Sequence, residues 1–290
     1  MAGNAVGHAV RVEVPGGIWL DGAAQAPVRE FVLRPVDGDD EVFLLGLADS
    51  ALPSERASAL LARCLLDGAE VVRSLSAGDR EALLLHLRRL TLGDRLECLL
   101  HCPAGECGEA MEFTLRATDL LMPPYHEARP SYDVAVEFDG ARHEVTFRLP
   151  TSADLDHAAT LARHDAEAGA RELLRRCVAR VARGGVPLAL EALPASARAA
   201  IATAMAAHDP QAEIELDLAC PSCGAAFSVI FDAATFFLQE LDRRGERLLQ
   251  EVHFLAWHYH WSEREILAMP ARRRARYIEL LADATARARE

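Results

Sequence analysis

The sequence predicts an α+β fold made of two tandem repeats, each containing a strand, helices and a cysteine-bearing β-hairpin, followed by a helical C-terminal arm. Three observations lead to this prediction. Residues 95–116 and 212–232 each alternate apolar and polar residues on both sides of a turn that carries two cysteines. Similar features recur in the same order about 115 residues apart, and the pattern after residue 233 is wholly helical.

These observations divide the chain into four segments. Residues 1–28 form an N-terminal strand extension, 29–125 the first repeat with the first Cys hairpin, 126–233 the second repeat with the second Cys hairpin, and 234–290 the helical C-terminal arm.

The composition narrows the possible functions. A hydrophobic fraction of 51% over 290 residues suits one or two globular domains with a real core. All 31 basic residues are arginines, so the chain has no lysine for a phosphate-binding loop, a Schiff base or a Ser-Lys dyad. The formal net charge of −13 argues against general nucleic-acid binding. No established catalytic motif is present, and we expect a protein that is not an enzyme.

Localisation follows from two further patterns. No apolar run is long enough to span a membrane, so no membrane partner is expected. The N-terminal residues have no basic region followed by an apolar core, and seven cysteines fit a reducing compartment. We therefore expect a soluble, cytoplasmic protein.

The first repeat reads as short strands over residues 9–35 and then as three helices. Asp39 and Asp40 precede the first helix and are expected to cap it. The second helix covers residues 55–66, and the third begins near residue 78. The second repeat has a strand over 145–150, the acidic pair Asp154 and Asp156 where a cap is needed, and a helix over 195–207. We interpret these acidic pairs as helix caps rather than as a catalytic dyad.

The prediction of a tandem repeat is based on different features that recur in the same order at nearly constant spacing. The offsets are 115 from Pro35 to Pro150, 113 from Cys64 to Cys177, 116 from Cys107 to Cys223 and 113 from Asp119 to Asp232. Chance matching in a sequence rich in Leu, Ala and Arg is the alternative explanation.

The paired cysteines predict a structural zinc site. Cys102 and Cys107 occupy the first hairpin turn, and Cys220 and Cys223 occupy the second. A structural Zn²⁺ usually has four ligands, so each hairpin supplies half of the expected set. The alternatives are a relic site without metal or two pairs of free thiols. A redox Cys-x-x-Cys normally opens a helix, whereas these cysteines lie between strands.

Other candidate ligands are weaker. Cys64 and Cys177 lie on apolar helix faces and are expected in the core. His101 is the one plausible substitute ligand beside the first hairpin. The histidines near the end of the long helix have spacings of five and two, which do not place them on one helical face.

The C-terminal arm is expected to bind a partner. A helix over residues 234–260 ends in an aromatic cluster, and the expected anchors are Phe254, Trp257, Tyr259 and Trp261. The alternative is that these residues fold the arm back onto the repeats. Ser262 and Glu265 form a capping box for the next helix, and the arginines at 272, 273, 274 and 276 suggest a solvated face.

The motifs FVLRPVDGDDE and VTFRLPTSADLDHA, the paired cysteine turns, and the ending LLQEVHFLAWHYHWSEREILAMPARRRARYIELL resemble one known family. It is the baseplate hub assembly chaperone family of T-even-type contractile phages, in the branch found in contractile injection systems. The resemblance implies a non-enzymatic baseplate assembly factor or structural component, in the cytoplasm or within an assembled phage-like particle. It also implies baseplate or hub proteins as partners. The spacing from Cys102 to Cys107 is wider than the family leads us to expect.

Two other classes compete with this interpretation. A zinc-ribbon adaptor would bind nucleic acid or the transcription machinery, although the acidic charge opposes this role. A zinc hydrolase is weaker still, because four thiolate ligands leave no open position for water.

Overall fold

A computed structural model describes residues 9–19, 26–48, 50–66 and 68–287. The described residues form ten strands and nine helices. The strands are β1 (Val10–Ile18), β2 (Val28–Leu33), β3 (Arg95–His101), β4 (Ala110–Arg116), β5 (Tyr132–Phe138), β6 (Ala141–Phe147), β7 (Val178–Arg183), β8 (Val186–Pro187), β9 (Ile214–Ala219) and β10 (Ala226–Phe231). The helices are α1 (Gly38–Leu47), α2 (Pro53–Cys64), α3 (Ala77–Leu92), α4 (Ser152–Ala162), α5 (Ala166–Cys177), α6 (Ala195–His208), α7 (Ala233–Tyr259), α8 (Glu263–Leu267) and α9 (Ala271–Arg287).

The sheets are small, and every strand pair in the described residues is antiparallel. β1–β2, β3–β4 and β9–β10 are separate hairpins, and β5 to β8 form a four-stranded sheet in chain order. The mixed helical and antiparallel content agrees with the predicted fold class, and a C-terminal helical stretch follows as expected. The sequence did not predict β5, β7 or β8.

The first half of the chain and the start of α7 share one hydrophobic core. It combines β1, β2, α1, α2 and α3 with Phe237, Leu238 and Leu241 from α7. A second core lies between β5, β6, β7, α5 and α6. A third joins α3 to the hairpins β3–β4 and β9–β10 through Leu85, Leu96 and Ile214. The hairpins are therefore anchored to the same helix at their bases.

The C-terminal helices fold back onto the first half of the chain. Two ion pairs support the apolar contact: Arg88 Nη2 lies 2.7 Å from Glu240 Oε1, and Arg56 Nη1 donates to Asp242 Oδ2 at 3.1 Å. Both arginines are more than nine-tenths buried. The first part of α7 is therefore a core helix, as the alternative interpretation of the arm expected, and only its later part extends beyond α1 to α3.

The prediction that the arginines of α9 lie on a solvated face is wrong for Arg274. Its side chain is fully buried, with Nη2 donating to Glu41 Oε1 at 2.7 Å and Nε donating to Glu251 Oε2 at 3.0 Å. Arg272, Arg273 and Arg276 are exposed as expected. The difference arises because the periodicity of α9 turns one arginine of the run toward α1 and α7, where two carboxylates neutralise its charge.

Asp40 and Asp154 are not the helix caps that the sequence suggested. The N-cap of α1 is Asp37, which accepts from the backbone N–H of Asp40, and Asp40 accepts in turn from the N–H of Asp37. Asp154 accepts from the N–H of Thr151 at 3.0 Å in the same way. Each aspartate is thus the third residue of its helix, and its two carboxylate oxygens also accept hydrogen bonds from other groups.

Those groups are two arginines in each case. Asp40 accepts from Arg34 at 2.6 Å and from Arg63 at 2.7 Å. Asp154 accepts from Arg148 at 2.5 Å and from Arg176 at 2.7 Å. Arg34 and Arg148 also donate their backbone N–H groups to the carbonyls of Cys64 and Cys177, each at 3.0 Å. The two Arg-Asp-Arg networks therefore have the same bonds in the same order.

Candidate metal centre

The two cysteine hairpins bury one face and expose the other, as their alternation predicted. In β9–β10 the cross-strand pairs Phe231–Ile214, Val229–Leu216 and Phe227–Leu218 share the covered face. In β3–β4 the pairs are Leu115–Leu96, Phe113–Cys98 and Met111–Leu100. These faces pack toward each other and toward α3, so the hairpin tips meet.

Backbone hydrogen bonds shape each tip. The N–H of Cys102 donates to the carbonyl of Glu109, and the N–H of Cys220 donates to that of Ala225, both at 2.9 Å. Gly108 and Gly224 follow the second cysteine of each pair with φ of 59° and 75°. Glycine adopts this left-handed conformation without a Cβ clash, so the chain reverses directly after the cysteine and turns both thiols the same way.

The four predicted cysteines come together. Their Sγ atoms all lie within 4.8 Å of one another, with Cys102 Sγ 3.7 Å from Cys223 Sγ and Cys107 Sγ 3.8 Å from Cys220 Sγ. Four ligands about 2.3 Å from a tetrahedral Zn²⁺ would lie about 3.8 Å apart. The cluster therefore has the dimensions of a four-thiolate metal site, and the wider spacing of the first pair does not prevent this geometry.

The thiols ionise unequally without a cation. The backbone N–H of Cys223 lowers the pKa of Cys220 to about 7. The N–H of Ala104 lowers the pKa of Cys102, but burial and hydrogen bonds with the other thiols outweigh it and raise that pKa to about 12. Four thiolates at these distances repel one another, so a metal cation is needed to hold all of them deprotonated.

The remaining cysteines and His101 lie outside this cluster. Cys64 and Cys177 are buried in the two cores as predicted. Burial raises the pKa of Cys64 well above its usual range and raises that of Cys177 to about 12, so both stay protonated thiols. Cys98 is buried in the third core, and His101 is exposed at the end of β3.

Comparison with known proteins identifies the family. The family model described as T4 bacteriophage base plate protein matches residues 24–238. The chain belongs to this family. No curated protein and no solved structure matches the chain. The match spans both cysteine hairpins and the first turns of α7, so the candidate metal centre lies inside the region that defines family membership.

Baseplate proteins of this family are typically structural, and their role implies contacts with other baseplate proteins. Within the ranges that the structure describes, no helix combines the length and hydrophobicity that crossing a bilayer requires.

The four predicted aromatic anchors of this baseplate-family protein differ in exposure. Tyr259 and Trp261 stack with ring centroids 4.4 Å apart, and Tyr277 of α9 packs edge-on against both. Phe254 is half-buried beside His258. Trp257 is 72% exposed. Tyr259 and Trp261 therefore form an aromatic cluster with Tyr277, Phe254 lies outside that cluster, and Trp257 faces solvent.

Leu249 is an exposed residue of the same surface that the sequence reading missed. It is 68% exposed and lies two helical turns before Trp257 on α7, with the exposed His253 between them. The signal was the i, i+4, i+8 spacing, which places three residues along one stripe of a helix. Leu249, His253 and Trp257 are called the α7 stripe below.

Proposed function

We propose that Cys102, Cys107, Cys220 and Cys223 hold one structural Zn²⁺. The sulfur–sulfur distances, the thiolate-only ligand set and the paired strands support this assignment. Bound there, the ion would link the two hairpins and complete a closed four-ligand shell. A closed shell leaves no position for a substrate or a water nucleophile, so the proposed role is structural.

We also infer that the two halves arose by tandem duplication. The order of a hairpin, two helices, a 3₁₀ turn, a third helix and a cysteine hairpin recurs, although the second half also has β7 and β8 before the 3₁₀ turn and a further 3₁₀ turn before the cysteine hairpin. The Arg-Asp-Arg networks recur with offsets of 114 from Asp40 to Asp154 and 113 from Arg63 to Arg176. These shared bonds support a common origin more strongly than the sequence offsets do, because they involve several residues in one geometry.

The proposed function is that of a non-enzymatic baseplate assembly factor or structural component of a contractile, phage-tail-like injection system. The observation that carries it is the match of residues 24–238 to the T4 base plate family. The partners would be baseplate or hub proteins, and the protein would act in the cytoplasm or within the assembled particle. The α7 stripe, which exposes Leu249 and Trp257, supports a role in protein contacts.

Within the predicted anchor set, Trp257 is the residue best placed to bind such a partner. Exposed tryptophans carry a large share of the binding energy where they reach an interface. Tyr259 and Trp261 already contact Tyr277, so their loss would disturb the fold as well as any interface. Trp257 and Leu249 can be changed with little effect on stability.

The test uses purified full-length protein and purified baseplate and hub proteins encoded beside it. Trp257→Ala should weaken binding by about tenfold or more, because a large apolar contact is lost. Leu99→Ala is the matched control, since Leu99 is 59% exposed on β3, away from α7. Normal binding by Trp257→Ala would remove the α7 stripe from the interface. Failure of the wild type to bind any of these proteins would contradict the proposed function.

The zinc-ribbon adaptor is the second candidate, favoured by the cysteine cluster between two β-hairpins. The net charge of −13 opposes contact with phosphates. Binding of duplex DNA or RNA at low salt, lost as salt is raised, would support this candidate. Absence of binding at low salt would remove its nucleic-acid form.

A further inference from the structure

A cavity of about 410 Å³ lies beside the second cysteine hairpin, between α3, α5 and α6. Its walls are mainly apolar and include Leu155, Leu173, Leu174, Met205, Ile230 and Phe231. Ile230 is 68% exposed at its edge, and Ala170 and Ala202 are exposed in its walls. We call this cavity the second groove.

The corresponding surface in the first half of the chain is covered. The matching pairs are Ala57 with Ala170, Leu60 with Leu173 and Leu61 with Leu174 at an offset of 113, and Leu84 with Ala202 and Leu87 with Met205 at an offset of 118. All five residues of the first half are 0% exposed. In the second half, two of their counterparts are exposed and Leu173 is half-buried. Equivalent helix faces are therefore fully covered in the first half and only partly covered in the second, where Leu174 and Met205 are buried.

Helix α7 packs against this surface in the first half and not in the second. Phe237, Leu238 and Leu241 lie in the same core cluster as the covered residues, and their i, i+1 and i+4 positions form one apolar face. Because α7 starts at the end of β10 and crosses to the first half, it cannot also cover the second groove. The first half thus shows what kind of segment fits this surface, namely an amphipathic helix.

The charged residues that line the second groove are one arginine, Arg80, and four acidic residues, Glu81, Asp209, Glu213 and Asp232. Arg80 is 7% exposed and lines the cavity, and within the described residues its Nε and Nη1 atoms have no hydrogen-bond partner. Its Nη2 atom donates to Glu81 at 3.3 Å, and Nη1 lies 3.7 Å from Asp156. Glu81 and Asp156 thus already balance the charge of Arg80, and the apolar walls are the part of the groove that an apolar helix face would fill.

We propose that the second groove binds an amphipathic helix of another protein, whose apolar side chains fill the cavity. The proposal rests on the duplication inferred above and deepens the proposed function by naming the kind of partner segment. The occupant comes from another protein because α7, the segment of this chain with the required apolar face, is already buried against the first half. A helix from a second copy is an outcome of the test.

A helix-stapled peptide of residues 233–250 is the probe, because this sequence fills the equivalent surface in the first half. It should bind full-length protein, and a peptide with Phe237→Ala and Leu241→Ala should not. Ile230→Glu and Ala202→Glu in the protein should each weaken binding by at least about tenfold, because a carboxylate would be buried against the peptide. The matched controls Leu99→Glu and Ala207→Glu change exposed residues outside the groove and should bind normally.

Three results would contradict the proposal that the second groove binds a helix of another protein. They are no binding of the stapled peptide, equal binding by the groove variants and their controls, and self-association of the full-length protein that Ile230→Glu abolishes. The last would make a second copy the occupant. None of these results depends on baseplate proteins, so a failure here is distinguishable from a failure of the proposed function.

Discussion

Asp40 and Asp154 show how one side chain can serve two structural roles. Burial raises the pKa of each carboxyl, but hydrogen bonds and charges from the two arginines outweigh it and hold the pKa below its usual range. One carboxylate thus closes the first turn of a helix and is the shared counterion of two guanidinium groups. Because a carboxyl with a lowered pKa stabilises the folded state above its unfolded pKa, this contribution is lost as the pH falls.

The first prediction is that Asp40→Asn lowers the free energy of unfolding by about 3 kcal/mol at pH 7, because it leaves Arg34 and Arg63 without their shared counterion. Urea denaturation measures the change. Asp39→Asn is the control, because Asp39 is the exposed neighbour. The difference between wild type and Asp40→Asn should shrink as the pH falls below about 4. A pH-independent difference would show that the ion pairs do not contribute it.

At the scale of the element, the C-terminal helices are fastened by a buried charge as well as by apolar packing. Arg274 of α9 binds Glu41 of α1, Glu251 of α7 and the carbonyl of Met269. The bonds to Glu41 and Glu251 connect α9 with α7 and with α1, which is remote in sequence. Removing the cation would leave Glu41, itself 2% exposed, buried without its partner.

The second prediction is therefore that Arg274→Met destabilises the protein by about 3 kcal/mol or more, whereas Arg272→Met has little effect. Both substitutions remove one positive charge from the same helix, so the comparison isolates the effect on stability of the arginine's being buried. Thermal unfolding and limited proteolysis of residues 260–287 should report the loss. Equal melting temperatures for the two variants would show that apolar contacts alone hold α9 in place.

At the scale of the whole molecule, the two cysteine hairpins join distant parts of the chain. Cys107 and Cys220 are 113 residues apart in sequence, yet their sulfur atoms lie 3.8 Å apart. A metal bound only by the folded arrangement stabilises that arrangement by its binding free energy. The proposed Zn²⁺ would consequently stabilise both halves together.

The third prediction is that the purified wild type contains one zinc per chain and that Cys223→Ser loses it. EDTA should lower the melting temperature of the wild type by at least about 5 °C and leave that of Cys223→Ser unchanged. Cys98→Ala is the control, because Cys98 lies outside the cluster and should retain both zinc and the EDTA response. Wild-type protein purified without chelator that contains no zinc would defeat the proposed site.

The parts of the fold that could be predicted from the sequence are those that a local residue pattern determines. The alternation on both sides of each cysteine turn determined which hairpin residues face inward, because side chains in a strand alternate between two faces. Helical periodicity similarly located α6 and α7 to within one residue at each end, and the capping box at Ser262 and Glu265 is present. The four cysteines could be selected because each pair lies at a hairpin turn.

The sequence by itself determined these local elements and the candidate ligand set, while only the tertiary structure decided how the elements are combined. The helical pattern of α7 is the same whether the helix is an arm or a core element, and only its contacts with α1 to α3 separate the two. Arg274 likewise cannot be distinguished from Arg272 by composition, because its burial depends on carboxylates 233 and 23 residues away. Periodicity describes one segment at a time, whereas burial and ion pairing depend on residues that meet only in the folded chain.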